Sequence, residues 1–135
     1  VNGSLFKCAV AGSDPNVGRI VGGIGSFLGG SACSLTDEEV ARLTEGMVLR
    51  LGGVDIFSQN QFQLDTAKEK QLSDYMLDAT LYPDDMQEHD RTYPLNARTV
   101  DLDVVLSGAL GEGQCTVIGS DLTKEYVEIN ADYRS

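Results

Sequence analysis

The chain has 135 residues, 41% of them hydrophobic, enough to build one domain with a real core and too few for a second of comparable size. Its formal net charge of −11, from 21 acidic residues against 10 Lys and Arg, argues against a nucleic-acid or anionic-membrane surface, where phosphates demand clustered cations. No apolar run approaches the roughly 20 residues of a membrane span, and no basic start followed by an apolar stretch reads as a signal peptide.

The elements alternate along the chain. Leu5 to Val10 reads as a strand, and Gly12-Ser13-Asp14-Pro15 then offers a turn, an Asp cap and a proline suited to the first position of a helix from about Pro15 to Phe27. Gly18, Gly22, Gly25 and Gly29 follow i, i+4, i+7, i+11 spacing on that helix, beside an apolar stripe of Ile20, Ile24, Phe27 and Leu28. Each glycine costs roughly 1 kcal/mol of helix stability relative to Ala, so the expected compensation is close backbone approach to another element. Ser34 or Thr36, followed by Asp37, Glu38 and Glu39, marks a second helix start, which should end near Glu45-Gly46. Met47–Leu51 and Val54–Phe57 flank Gly52-Gly53 as a hairpin.

Leu64 to Thr80 carries a helical face of Leu72, Tyr75, Met76 and Ala79, with Asp65 or Thr66 as cap. Leu81 to Asn96, containing Pro83, Pro94 and the acids Asp84, Asp85, Glu88 and Asp90, reads as a long loop whose acids lack the ligand spacing of a calcium site. Arg98 to Leu106 alternates as a strand. Gly108 to Gly113 turns, and Gln114 to Ile118 is expected back as its antiparallel partner. Asp121 caps a closing helix from Leu122 to Asn130. The fold class that follows is α/β, a single domain over residues 1–135 with a mixed sheet covered by helices.

Cys8, Cys33 and Cys115 are odd in number and widely spaced, the pattern of reduced thiols and not of a disulfide framework. His89, the only histidine, lies among acids in a polar loop and reads as a solvated side chain. The glycines around Gly22-Gly23-Ile24-Gly25 fall inside a helix and not in a strand-to-helix loop, so nucleotide binding does not follow from them. Val1 in place of an initiating Met points to processing or to a longer parent polypeptide.

Two blocks carry more specific information. Asp121, Leu122, Thr123, Tyr126, Val127, the run Ile129 to Arg134 and Ser135 resemble the C-terminal tail of the ornithine acetyltransferase (glutamate N-acetyltransferase) family of arginine biosynthesis. Phe6 to Ile20, with Gly12, Asp14-Pro15-Asn16 and Gly18-Arg19-Ile20, resembles a second block of that family, in the same order. The chain departs from the family pattern at Val17, usually Trp, at Ser120, usually Cys, and at Ser135, usually Thr.

The resemblance implies the C-terminal part of the nucleophile-bearing chain of a self-processing acetyltransferase. Such an enzyme would move an acetyl group from N-acetylornithine to glutamate through an acyl-threonine intermediate. The precursor cleaves itself before a threonine, whose hydroxyl and freed amine supply nucleophile and base. Val1 has no hydroxyl, so the resemblance places the nucleophile on polypeptide outside this chain. Asn130 and Ser135 match the family's contacts to the amino-acid substrate, and an Asn amide offers both donors and an acceptor to such a ligand. Asn130 alone would otherwise read as a helix C-cap. No catalytic residue, organic cofactor or metal is implied within this chain. The expected partners are the remaining polypeptide of the same precursor, in a hetero-oligomer, and the amino-acid substrate. The implied location is cytoplasmic, or mitochondrial in a eukaryote. A detached, non-catalytic α/β module that binds an amino acid or a protein partner is the alternative.

Overall fold

A computed structural model describes residues 3–30, 33–79, 99–120, 122 and 126. Helices α1 (Ser4–Ala11) and α2 (Val17–Leu28) lead into α3 (Asp37–Thr44), then strands β1 (Val48–Leu51), β2 (Val54–Ser58) and β3 (Gln61–Phe62), helix α4 (Thr66–Asp78) and strand β4 (Leu102–Val105), followed by a 3₁₀ turn at Gly108–Leu110. The strands form one antiparallel sheet in the order β3-β2-β1-β4. The mixed α/β class expected from the sequence is therefore the class observed.

The core lies between this sheet and the helices α1, α2 and α4. Val17 and Ile20 from α2, Leu72 and Met76 from α4, and Met47, Leu49, Leu51 and Ile56 from the sheet make one buried cluster. Leu49, Leu51, Ile56 and Leu72 are buried almost completely, each stabilising the fold by about 1.5–3 kcal/mol through removal of its side chain from water. Phe6 and Val10 of α1, four residues apart and so on one helical face, close the cluster's edge. Helix α3 buries no residue; its stability rests on its ends. Thr36 accepts from the Glu39 amide, while the Glu39 carboxylate accepts from the Thr36 amide and hydroxyl, a reciprocal capping box. Near its other end, the Ser107 amide donates to the Leu43 carbonyl at 2.9 Å, and its hydroxyl donates to the Arg42 carbonyl.

Two tight turns organise the sheet. Gly52 and Gly53 join Leu51 to Val54 with φ of 54° and 79°, the left-handed values that a type I′ hairpin turn requires. Gln59 and Asn60 repeat the device between Ser58 and Gln61 at φ of 53° and 58°. Here non-glycine residues occupy left-handed positions, which is why β3 is hidden in the sequence. In β2, Ile56 is an extra residue between the pairs Leu49–Phe57 and Arg50–Asp55, a bulge that turns its side chain into the core.

Three expectations are overturned. Leu5–Val10 is helix α1 and not a strand: a short apolar run fits either period, and here the i, i+4 pair Phe6 and Val10 meets the core while Leu5 stands out at 67% exposure. Gln114–Ile118 does not pair with β4. It has no ladder, Ile118 is 92% exposed, and β4 instead pairs with β1, from Val48–Val105 to Leu51–Leu102. Third, the glycine face of α2 meets no other backbone: a Cβ built on Gly22 or Gly25 finds nothing within 4 Å, and one on Gly18 meets only the Asn16 side chain. The loop from Leu81 to Asn96, His89 within it, and all but Leu122 and Tyr126 of the closing segment from Asp121 to Ser135 lie outside the described residues.

Candidate functional site

A cleft of about 670 Å³ lies where the α1–α2 connection faces β3 and α4. One wall is the chain from Gly12 to Gly18; the other is Phe62, Leu64, Glu69 and Ser73. The first wall is built by helix termination. The amide of Ser13 donates to the Val10 carbonyl at 3.0 Å and that of Asp14 to the Ala9 carbonyl at 2.9 Å, the pair of bonds that defines a Schellman stop. Ser13 occupies the left-handed position, φ 51°, where glycine is usual. Gly12 to Pro15 thus ends one helix before the next begins.

Helix α2 is capped by Asn16, whose Oδ1 accepts from the Arg19 amide at 3.1 Å. Asp14, expected as that cap, instead accepts from Asn16 Nδ2 at 3.2 Å and so orients the capping amide. The physical reason is one of position: the proline at 15 and the Schellman stop leave Asp14 too far upstream to reach the α2 amides. Arg19 donates from Nη1 to the Leu5 carbonyl at 3.3 Å, tying α2 back to α1. Val17, where the resembled pattern has Trp, is buried at the base of this connection.

The opposite wall depends on the Gln59-Asn60 turn, which folds Phe62 back to meet the Phe57 ring edge-on at 5.7 Å between centroids. Asp65 caps α4 through the Lys68 amide at 2.8 Å, and Lys68 Nζ donates to the Gln63 carbonyl at 2.8 Å, fixing the strand-to-helix passage beside Leu64. Among the described residues the lining carries two carboxylates, Asp14 and Glu69, hydroxyls at Ser13 and Ser73, an apolar patch at Phe62 and Leu64, and no cationic side chain. Chemically this is a surface suited to an ammonium group attached to a short aliphatic body.

The substrate contacts expected at Asn130 and Ser135 lie outside the described residues. Phe62, Glu69 and Ser73 were not singled out by the sequence; the signal available for them was the Gln-Asn pair at 59–60, since Asn tolerates positive φ. Among the described residues no three His, Cys, Asp or Glu side chains gather as a metal site, and the three cysteines are free. No helix among them is long and apolar enough to cross a membrane.

The fold is thus a helix-covered antiparallel sheet with an acidic cleft at a helix-to-helix junction, in a mixed α/β domain. The family follows from comparison: the model of the ArgJ family matches residues 1–135, and this chain belongs to that family. It is 35% identical over 135 residues to the "Arginine biosynthesis bifunctional protein ArgJ" of Bacillus licheniformis, covering 100% of this chain and 25% of that protein. The protein of the same name from Nitratidesulfovibrio vulgaris is 34% identical over 131 residues, and that of Bacillus subtilis 32% over 138. The chain spans about a quarter of the length of these relatives.

Proposed function

We propose that this chain is part of an acetyltransferase of arginine biosynthesis, moving an acetyl group from N-acetylornithine to glutamate. The observation that carries the reading is the family match over residues 1–135, supported by relatives whose name describes bifunctional arginine-biosynthesis proteins. In the proposed reaction a threonine hydroxyl, on polypeptide outside this chain, attacks the acetyl carbonyl of N-acetylornithine. The amide bond breaks, ornithine leaves with the proton, and an acetyl ester remains. The glutamate amine then attacks that ester and regenerates the hydroxyl. Asn130 and Ser135 are proposed as substrate contacts, Asn130 through its paired donor and acceptor capacity. The carboxylates of Asp14 and Glu69 are proposed separately as acceptors for an ammonium group, which both amino acids present.

Intact-mass measurement of the complete gene product after incubation with N-acetylornithine tests the reading. A gain of one acetyl group on a threonine outside residues 1–135, discharged by glutamate, is the expected result. Acetylation of this chain's own residues, or no transfer at all, refutes it. Asn130→Ala in the complete protein should raise the KM for N-acetylornithine by the equivalent of about 1–3 kcal/mol, the range for an unmade buried polar contact. An unchanged KM returns Asn130 to the role of a helix cap.

A further inference from the structure

Strand β4 ends the sheet. One side of it pairs with β1, and among the described residues the other side pairs with nothing. The register puts Leu102 and Val104 on the face they share with the buried Leu51 and Leu49, yet Val104 is 42% exposed. Folded proteins ordinarily pair, charge or cover such an open edge. The chain just beyond β4 has the complementary defect. No charged residue stands between Glu112 and Asp121, and within that stretch Val117 is 65% exposed and Ile118 stands almost wholly in water. The connection between the two is first fixed and then freed. Ser107 is tied to α3 through the Leu43 and Arg42 carbonyls, and the 3₁₀ turn Gly108–Leu110 follows. Gly111 then adopts φ 128° and ψ 167°, a conformation open essentially to glycine alone. A Cβ on Gly111 or Gly113 would meet nothing within 4 Å, so these glycines serve backbone rotation and not close packing.

We infer that Gln114–Ile118 is a strap that swings about Gly111 and Gly113 and closes on the free edge of β4 as a fifth, antiparallel strand, an arrangement distinct from the open one in the structure. Alternation fixes its faces. Cys115 and Val117 turn inward beside Val104 and Leu106, while Gln114, Thr116 and Ile118 turn outward beside Val105. This segment is the occupant because it needs only a short hairpin across residues 107–113 to reach the edge, and closing a short loop costs less entropy than bringing in distant chain. A second copy with formal net charge −11 would approach against repulsion. Closure leaves Ser120 at the Leu102 end of β4 and so sets the point from which the segment bearing Asn130 and Ser135 starts. That link to substrate rests on the proposed function; the closure itself does not.

The test uses the complete gene product and its own Cys115 thiol, alkylated with N-ethylmaleimide and read by peptide mass. Cys115 should react about tenfold or more slowly in native buffer than in urea. Val117→Lys, which puts a charge on the inward face, should restore the fast rate with amide exchange in β1 and β2 unaltered, while Thr116→Lys on the outward face should not. In a further variant, Val105→Cys with Thr116→Cys, a short bismaleimide should join those two positions within one molecule. Equal alkylation rates in native and unfolded protein overturn the inference, as does the same response to both lysine substitutions or a crosslink to a second copy. Val117→Lys should also raise the KM for N-acetylornithine severalfold; an unchanged KM in a variant whose Cys115 has been released overturns the link to the tail. A gene product that transfers no acetyl group while Cys115 stays protected counts against the proposed reaction and leaves the strap standing.

Discussion

Gly52 is held by two independent constraints, and substituting it separates them. Its φ of 54° lies in the left-handed region, where a Cβ costs about 1–2 kcal/mol. An added Cβ would also stand 2.7 Å from Tyr75 Cε1 and 2.9 Å from two more ring atoms, closer than carbon atoms can come. The ring cannot withdraw without loss, because Tyr75 Oη accepts from the Asp101 amide at 3.0 Å and thereby fixes the approach to β4. Breaking that bond costs about a further 1 kcal/mol. Gly52→Ala should therefore lower the local stability of the β1–β2 hairpin and of β4 by about 2–3 kcal/mol. Native-state hydrogen exchange in the complete protein reads this directly: Gly52 donates its amide to the Asp101 carbonyl at 2.9 Å, and peptides on both sides should exchange roughly 30- to 160-fold faster. In a Tyr75→Ala background the same substitution should cost only the conformational part, about 1–2 kcal/mol. An identical penalty in both backgrounds would refute the steric argument, and a penalty near zero in either would refute both parts.

Asn16→Ala should weaken α2 by about 1 kcal/mol through loss of its cap, seen as faster amide exchange over the first helical turn; Asn16→Asp, which keeps the acceptor but faces the Asp14 carboxylate, should fall between that variant and the unaltered chain. Ser13→Gly should raise the thermal midpoint by relieving the left-handed position of the Schellman stop, a gain of about 0.5–1 kcal/mol, and a lowered midpoint would contradict that role. Glu39 is held below the usual carboxylate range, first by the Thr36 amide and then by the Thr36 hydroxyl and the Arg42 charge. Because its folded value is the lower one, its capping contribution is complete above the ordinary carboxylate pKa and is lost as pH falls through the lowered value. Exchange protection at the start of α3 should follow that course, and Glu39→Ala should abolish the dependence.

Where a local signal was complete, the sequence was a sufficient guide. Ser34 or Thr36 before the acids marked the start of α3, Asp65 or Thr66 that of α4, and Gly52-Gly53 a hairpin, and the structure selects Thr36 and Asp65 as the caps; each signal rests on bonds between residues no more than a few positions apart. The family was legible for a related reason: the Phe6–Ile20 and Asp121–Ser135 blocks lie in the order of the resembled pattern, and the family model spans the whole chain. The candidate cleft was half legible. Asp14 and Asn16 stood out in the sequence, but Glu69, Ser73 and Phe62 reach the same cleft only through a turn that uses no glycine.

Tertiary structure decided what periodicity leaves degenerate. The run Leu5–Val10 has the apolar content of a strand, and only the core reached by Phe6 and Val10 together makes it a helix. The partner of β4 was equally open: Gln114–Ile118 is nearer in sequence, but β1 offers Leu49 and Leu51, whose burial the sheet requires, and the neighbouring Leu102 packs against the same core. Sequence determined local bonding, because its energies depend on neighbours along the chain. Tertiary structure decided strand partners, the fate of the glycine face and the second wall of the cleft, because those depend on which distant residues compete for the same buried surface.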